Sequence, residues 1–257
     1  MAAHGCYGAT CITALTVQTT QGVRAVEAVK PEIVRATLRE LAADLPISAV
    51  RIGMLGSAAV VEAVAEFLES TRPPHVVLDP VIGSSSGAEL LDPAGVDLLK
   101  QRLLPLVSVV TPNIDEVAVL SGLFTPEPTP AAAQLIDPET DPRLRTAIAA
   151  GEALLERNAK AVVVTGGHLE KPTDILLWRP DGKLQIQAFP SRRIDSRSTH
   201  GTGCAFAASL ACSLALGASL PEALARAQQY VFRAIQTAEP LGQGIGPINH
   251  LWPLQAV

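Results

Sequence analysis

The chain has 257 residues, a length that fits one large α/β domain or two small ones and that can bury a substantial core. Its formal net charge of −5 argues against a nucleic-acid-binding protein, which usually carries a basic excess or a basic stripe. Aliphatic residues and alanine dominate while only 4% of the residues are aromatic, which is typical of a buried parallel sheet covered by alanine-rich helices.

The four cysteines lie in two distant pairs, Cys6 with Cys11 and Cys204 with Cys212. No histidine or further cysteine accompanies either pair at the spacing of a zinc site. Four cysteines in a chain of this length do not form a disulfide scaffold, so a cytoplasmic location is expected. The run 201–220 lacks charge and proline but is rich in Gly, Ala and Ser, which predicts a buried helix rather than a membrane span.

Strands and helices alternate along the chain, and this alternation predicts parallel βαβ units in an α/β fold. A strand or buried apolar segment is predicted at 11–18, and Pro31 opens a helix after it. No repeat or linker interrupts the pattern, so residues 1–257 are predicted to form a single domain. The strands that follow are predicted at 49–54, 75–79, 106–110 and 161–165.

Local signals add detail between and after these strands. Ser57 is predicted to cap the second helix. The segment 124–143 contains five prolines and is predicted to be a surface loop. Two apolar runs within 174–190 flank a Pro-Asp-Gly turn and predict a β-hairpin. Ser219 and Glu222 form a capping box, which starts a helix that is expected to end near residue 238.

Polar residues and glycines follow several of the predicted strands, namely Asp79, Asn113, Glu116 and the pair Gly166-Gly167. Ligands of parallel sheets bind beyond the C-terminal strand ends, so these residues are candidates for a site. Oxygen atoms of Asn113 and Glu116 suit Mg2+, which proteins usually hold through waters beside phosphates. The same residue types are also ordinary turn and cap residues, and both interpretations stay open.

The strongest local motif is Thr-His-Gly-Thr-Gly-Cys at 199–204, just before a long alanine-rich helix. Gly201 and Gly203 let the backbone approach an anion, and the amides of a helix N-terminus point toward it. Such a turn suits the charge that develops on a transferring phosphoryl group. A glycine-rich turn can also bind nothing, but the arginines at positions 192, 193 and 197 favour an anion site.

Cys204 would lie in the first turn of that helix, where the helix dipole lowers the pKa of a thiol and favours thiolate. It could then act as a base toward a substrate hydroxyl. The alternative is that Cys204 is a small buried residue without chemistry, which is our interpretation of Cys212 in the same helix.

Seven motifs follow one another along almost the whole chain: Gln-Thr-Thr-Gln-Gly-Val at 18–23, Ile-Gly-Met-Leu at 52–55, Leu-Asp-Pro-Val at 78–81, Thr-Pro-Asn-Ile-Asp-Glu at 111–116, Thr-Gly-Gly-His-Leu at 165–169, His-Gly-Thr-Gly-Cys at 200–204 and Gly-x-Gly-x-Gly-Pro-x-Asn-His at 242–250. In this order they resemble the hydroxymethylpyrimidine/phosphomethylpyrimidine kinase family of the ribokinase-like superfamily. The cysteine after Gly-Thr-Gly is informative, because sugar and nucleoside kinases of the superfamily usually have aspartate there.

The resemblance implies a ribokinase-like three-layer αβα sandwich with a mostly parallel central sheet. It also implies that ATP, with Mg2+, phosphorylates 4-amino-5-hydroxymethyl-2-methylpyrimidine and then its monophosphate in thiamine biosynthesis. The expected partner is therefore a small-molecule substrate, with no nucleic acid and no membrane. Relatives are commonly homodimers, so a homodimer is expected.

The resemblance further implies roles for individual residues. The residues expected to line the pyrimidine pocket are Gln18, Met54 and Val81. Those expected to form the anion hole are Gly201, Thr202 and Gly203, with Cys204 as the base. Those expected to organise Mg2+ and the phosphates are Asp79, Asn113 and Glu116. Those expected near the nucleotide are Thr165, Gly166, Gly167 and Asp174.

The sequence departs from the family pattern in three places. The chain begins about thirty residues into that pattern, so an N-terminal strand and a Gly-rich segment that contact the substrate are expected to be missing, through either start-site assignment or natural variation. Thr165 stands where some relatives have lysine, and Thr19 stands where asparagine is common. Both substitutions bear on phosphate affinity and specificity.

Two other functions remain open at this stage. A pyridoxal or pyridoxine kinase of the same superfamily would phosphorylate a hydroxymethyl group on a similar ring, although Gln18, Met54 and the C-terminal motif favour the pyrimidine. A catalytically silent pyrimidine-binding protein would keep the sheet and the ligand but not the turnover.

Overall fold

Six strands form a central sheet whose spatial order follows the order of the chain, and a separate two-stranded sheet precedes it. The computed structural model describes residues 1–83, 87, 89–137 and 141–254. The strands are β1 (Ala14–Thr19), β2 (Gly22–Ala28), β3 (Ala49–Ile52), β4 (His75–Leu78), β5 (Val109–Val110), β6 (Ala161–Val164), β7 (Thr173–Trp178) and β8 (Gln185–Pro190). The α-helices are α1 (Pro31–Asp44), α2 (Ala58–Thr71), α3 (Pro93–Leu98), α4 (Ile114–Ser121), α5 (Pro130–Ala133), α6 (Pro142–Glu156), α7 (Thr202–Ala215) and α8 (Leu220–Gln236).

Strands β3 to β6 are parallel, and the hairpin β7–β8 extends the sheet with antiparallel pairing. Side chains alternate between the two faces of a strand, and both faces are buried here. In β6, Val162 and Val164 pack in the cluster that includes α2, α4 and α6, whereas Ala161 and Val163 pack with α7 and α8. Helices therefore cover both faces, and the predicted three-layer αβα architecture is confirmed.

The predicted central strands are present, with shorter bounds. The largest difference is at 106–110, where only Val109–Val110 is a strand because a 3-10 turn, Leu104–Leu106, occupies the preceding residues. Ser57 is the N-cap residue of α2, but its side chain makes no capping bond. The Ala58 amide donates instead to the carboxylate of Asp92, 3.3 Å away.

The strand predicted at 11–18 exists as β1, but the expectation that this segment is buried is wrong for most of it. β1 pairs with β2 in antiparallel fashion and lies outside the central sheet. Leu15 and Val17 are consequently 57% and 63% exposed. The two strands form a hairpin that stands apart from the core, which is called the β1–β2 hairpin below.

The C-terminal half agrees with the sequence pattern. The predicted hairpin is present as β7–β8, and the carboxylate of Glu222 accepts hydrogen bonds from both the amide and the hydroxyl of Ser219 at the start of α8. The proline-rich segment 124–143 contains the short helix α5, and its residues 138–140 lie outside the described part of the chain. Among the described helices, none is both long and apolar enough to cross a membrane.

Helix α7 contributes fully buried side chains to the cluster that covers one face of the sheet, including Leu210. We expect Leu210→Ala to lower the free energy of unfolding by about 2–5 kcal/mol, because the change removes buried methyl groups and leaves a cavity. Leu216 follows α7 and is 62% exposed, so Leu216→Ala is the matched control, with an expected change within about 0.5 kcal/mol. Urea denaturation measures both, and equal losses would contradict this view of the core.

Candidate active site

The predicted site residues follow the carboxyl ends of neighbouring strands. Met54 comes two residues after β3, Asp79 comes directly after β4, and Asn113 follows β5. Thr165 follows β6, and its amide donates to the carbonyl of Pro112, so the ends of β5 and β6 are tied together. Since these four strands are parallel, the residues after them share one edge of the sheet, as the sequence predicts.

The N-terminal turn of α7 opens toward the same edge. Gly201 is the N-cap residue with φ +88°, a conformation that L-residues with a Cβ rarely adopt. No atom of the described residues lies within 4 Å of where a Cβ of Gly203 would be, so space remains above the turn. Thr202, Gly203 and Cys204 are the first three helical residues, and their amides belong to the group that has no partner inside a helix. The turn therefore has the geometry of an anion site.

A buried cation, which the sequence interpretation missed, links the sheet to this turn. Arg51 lies in β3, and its Nη2 atom donates to Oδ2 of Asp79 at 2.5 Å. The Cys204 thiol lies close enough to the guanidinium and to the Asp79 carboxylate for both groups to affect its pKa. The sequence contained one signal for its importance, because Arg51 is the charged residue in the otherwise apolar run 49–55.

The pKa of Cys204 moves in the direction opposite to the one expected from the helix dipole. The Cys204 residue is exposed, but desolvation of its thiol by the surrounding atoms raises the pKa, and the Arg51 cation lowers it by less. The negative charge of Asp79 adds to the increase. The prediction of a thiolate favoured by the helix terminus alone is therefore corrected: in the free site the thiol form is favoured, and Arg51 is the group that opposes this.

Asn113 and Glu116 form a capping box at the start of α4. The Asn113 side chain accepts from the amides of Asp115 and Glu116, and the Glu116 carboxylate accepts from the amides of Asn113 and Ile82. In this conformation the oxygens of both side chains accept from backbone amides, and their expected role in organising Mg2+ stays a prediction. Among the described residues, no group of three or more His, Cys, Asp or Glu is placed to hold a metal.

Val81, a predicted pocket residue, has φ +43°. A β-branched residue in this region is strained, and such strain clusters at ligand sites. Met54 is half-buried, and its carbonyl accepts a 2.6 Å hydrogen bond from the Thr13 hydroxyl just before the β1–β2 hairpin. Gln18, near the tip of the hairpin, is exposed, and its Nε2 atom lies 3.2 Å from Nε2 of His200. The hairpin thus connects the Met54 loop to the glycine motif.

The tip of the β1–β2 hairpin rests on the C-terminal Gly-rich motif. The Ile245 amide donates to the Thr20 carbonyl at 2.8 Å, and the Gly244 amide donates to the Thr20 hydroxyl at 3.3 Å. A Cβ at Gly244 would lie 2.0 Å from the Thr20 carbonyl oxygen. Glycine is therefore required where the two segments meet, which explains a motif that the sequence interpretation quoted without a structural role.

The Gly166 turn after β6 is held by Asp174. The Asp174 carboxylate accepts from the Gly166 amide at 3.0 Å and from the Gln228 side chain at 3.1 Å. Asp174 is buried, so it supports the turn from within. A cavity of about 440 Å³ lies beside Gln228, between the end of β8 and α8, and Ser191 and Arg192 line it.

A parallel sheet between two helical layers, with a glycine turn at a helix N-terminus facing the strand ends, is the architecture of ribokinase-like kinases. Solved structures agree. The chain is 31% identical to phosphomethylpyrimidine kinase of Clostridium difficile 630, with a TM-score of 0.71 over 91% of this chain and 89% of that one. It is 28% identical to Bacillus subtilis pyridoxal kinase in an ADP complex, with a TM-score of 0.79 over 97% and 88%.

The family model described as phosphomethylpyrimidine kinase matches residues 1–249, and the chain belongs to this family. It is 41% identical to the hydroxymethylpyrimidine/phosphomethylpyrimidine kinase of Streptomyces coelicolor over 254 residues, which cover 99% of this chain and 87% of that protein. It is 42% identical to the thiamine biosynthesis bifunctional protein ThiED of Geobacter sulfurreducens over 96% of this chain, and spans 47% of that longer protein. The predicted family and the ribokinase-like fold are confirmed.

Gly166 and Gly167 provide a matched pair of substitutions. A Cβ at Gly166 would lie 2.1 Å from the Thr173 carbonyl oxygen, whereas a Cβ at Gly167 would meet no described atom within 4 Å. We expect Gly166→Ala to cost about 1–3 kcal/mol of stability through overpacking and Gly167→Ala to cost less than about 0.5 kcal/mol. Thermal and urea denaturation test this, and equal stabilities would refute the packing argument.

Burial raises the pKa of Asp174 from its usual 3.8 to about 6, while its two hydrogen bonds oppose the increase. The unfolded chain releases this proton near pH 4 and the folded chain near pH 6, so stability should fall as the pH rises between these values. The difference of about two pKa units corresponds to about 3 kcal/mol. We expect wild-type protein to lose this amount relative to Asp174→Asn between pH 4 and pH 7, as measured by urea denaturation. Parallel pH profiles would contradict it.

Proposed function

We propose that the protein transfers the γ-phosphoryl group of ATP to the hydroxyl of 4-amino-5-hydroxymethyl-2-methylpyrimidine, and then phosphorylates the resulting monophosphate. The observation that carries this proposal is the open glycine turn at Gly201–Gly203, with Cys204 beside Asp79 and Arg51. Membership of the phosphomethylpyrimidine kinase family supports the same substrate. The name of the Streptomyces coelicolor relative supports the same kinase reaction, and that of the Geobacter sulfurreducens relative supports a place in thiamine biosynthesis.

The reaction requires little covalent chemistry from the protein. The hydroxymethyl oxygen attacks the γ-phosphorus, the bond from that phosphorus to the β–γ bridging oxygen breaks, and ADP leaves. The amides of the α7 turn face the phosphoryl oxygens and stabilise the charge that develops on them. Cys204 first releases its thiol proton to solvent, a loss that the Arg51 cation favours, and the resulting thiolate then accepts the proton of the substrate hydroxyl.

The substrate side of the site is assigned to Gln18, Met54 and Val81. The β1–β2 hairpin places Gln18 beside His200, one residue before the glycine turn. An amide side chain can both donate to and accept from the polar edge of an aminopyrimidine. The apolar side chains of Met54 and Val81 would contact the ring face.

The nucleotide side is assigned to Thr165, Gly166 and Gly167, with Asp174 as the residue that supports the turn. Gly167 is exposed beside the buried Gly166, so its backbone is free to meet phosphates. The cavity beside Gln228 is large enough for a nucleotide base. A complex of the Bacillus subtilis pyridoxal kinase contains ADP, which supports nucleotide use in this fold.

The proposal that the site binds Mg2+ rests on the carboxylates of Asp79 and Glu116. Burial raises the pKa of Asp79 and of Glu116, and the Asp79 charge adds to the increase at Glu116, so a nearby cation would stabilise both ionised forms. Both carboxylates are already engaged, Asp79 with Arg51 and Glu116 in the capping box. They would therefore hold Mg2+ through its waters, and Asn113 would support Glu116. When bound, the ion would neutralise part of the negative charge of the phosphates.

Pyridoxal is the second candidate substrate, because Bacillus subtilis pyridoxal kinase has a similar fold at 28% identity. Initial rates with the two substrates, measured side by side under the same ATP and Mg2+ concentrations, separate the assignments. We expect ATP consumption with the pyrimidine to exceed that with pyridoxal. A folded protein that binds the pyrimidine in calorimetry and consumes no ATP with either substrate would be a binding protein instead.

The role of Cys204 is tested by a pair of cysteine variants in the same helix. We expect Cys204→Ala to lower turnover by at least about a hundredfold, the usual scale for a general base. Cys212 is buried farther along α7, so Cys212→Ala should retain turnover within about threefold. Coupled-enzyme detection of ADP measures both. Near-normal turnover in folded Cys204→Ala would remove Cys204 from the catalytic role.

A further inference from the structure

Arg51 is an unusual residue for its position in the fold. It lies in β3 between Val50 and Ile52, and its side chain is only 19% exposed, while that of Asp79 is 10% exposed. Removing such an ion pair from water costs free energy that its attraction often does not return. A pair of apolar side chains would stabilise the sheet at least as well. The presence of this pair at the end of β3 therefore needs a reason beyond stability.

The guanidinium is also imperfectly satisfied. Its Nε atom is buried and has no hydrogen-bond partner among the described residues. Its Nη1 atom would lie 2.2 Å from a Cβ at position 53, so the group fits only because that residue is glycine. The side chain is thus held against the Gly53 backbone with one donor unused. This arrangement is a poor solution for folding, and it directs the Nη2 donor to Asp79, close to Cys204.

Surface ion pairs of the same protein provide a contrast. Arg102 contacts both Glu62 and Glu69, with side chains that are 30% exposed or more. Such pairs are worth little to stability and do not involve the site. Arg51 differs because its partners come from the end of β4 and from the first turn of α7. It therefore joins two elements whose relative position decides where the reacting groups lie.

We propose that Arg51 is a positioning residue for phosphoryl transfer, and that its guanidinium holds the Cys204 thiol and the Asp79 carboxylate in a fixed arrangement below the glycine turn of α7. The reaction itself is the one proposed above, and this inference rests on it. Arg51 acts on the reaction through Cys204, while its ion pair with Asp79 fixes the position of the guanidinium. A guanidinium has donors in a rigid fork that can reach two partners, whereas a lysine ammonium is a single point charge.

The test compares the steady-state kinetics of Arg51→Met and Arg51→Lys with those of Arg102→Met. This control makes the same substitution at an arginine of a surface ion pair. We expect Arg51→Met to lower kcat at least about thirtyfold, with less than about a threefold change in KM for the pyrimidine. Arg51→Lys should have a kcat between those of Arg51→Met and wild type, because lysine keeps the positive charge but lacks the paired donors of a guanidinium. Arg102→Met should match wild type. A wild-type kcat in folded Arg51→Met would overturn the proposal.

A double-mutant cycle separates positioning from a merely structural effect. If Arg51 acts mainly through Cys204, Arg51→Met should lower the residual turnover of Cys204→Ala by less than about threefold. An equal loss of kcat in both backgrounds would show that Arg51 acts independently of Cys204 and would overturn the proposal. If Arg51→Met does not fold, the same cycle with Arg51→Lys decides the question.

Peptide-resolved alkylation of Cys204 by iodoacetamide provides a readout that does not depend on the substrate. An adjacent cation increases thiol reactivity, so Arg51→Met or Arg51→Lys should change the Cys204 alkylation rate, with a decrease of at least about threefold for Arg51→Met. Arg102→Met should leave the rate unchanged. Wild-type protein without turnover on the pyrimidine would refute the proposed function alone. An alkylation rate unaffected by either Arg51 variant would refute the contact on which this inference rests.

Discussion

The carboxyl ends of four parallel strands meet at one edge of the central sheet, and this constraint decides the positions of Met54, Asp79, Asn113 and Thr165. The strands are short and largely buried, and their polar side chains are limited to Arg51 in β3 and His75 at the start of β4. Chemistry is left to the residues that follow them. The N-terminus of α7 faces the same edge, where its free amides offset negative charge.

Close backbone approach is the second constraint, and glycines satisfy it at two places. Gly166 lies against the Thr173 carbonyl, which lets Asp174 reach the turn after β6. Gly244 lies against the Thr20 carbonyl, which lets the tip of the β1–β2 hairpin dock on the C-terminal motif. In both cases a methyl group would push apart the segments on which the site depends.

The alternation of elements and the ordered motifs were sufficient to predict the three-layer fold, the family and the edge of the sheet at which the site lies. They could not predict which polar atoms remain free, because Asn113 and Glu116 satisfy one another locally in a capping box. The direction of the Cys204 pKa shift was missed for a related reason. The helix terminus is visible in the sequence, whereas the desolvation of the thiol and the approach of Arg51 depend on tertiary packing.

Docking of the β1–β2 hairpin also has a consequence for the order of folding. The Thr20–Gly244 hydrogen bond joins residues 224 positions apart, whereas the strands of the hairpin are separated by a turn of two residues. Formation of the hairpin itself needs only local contacts. Its docking on the C-terminal motif closes a loop of almost the entire chain, which is entropically costly and slow. During synthesis the hairpin must therefore stay undocked until Gly244 and Ile245 have left the ribosome.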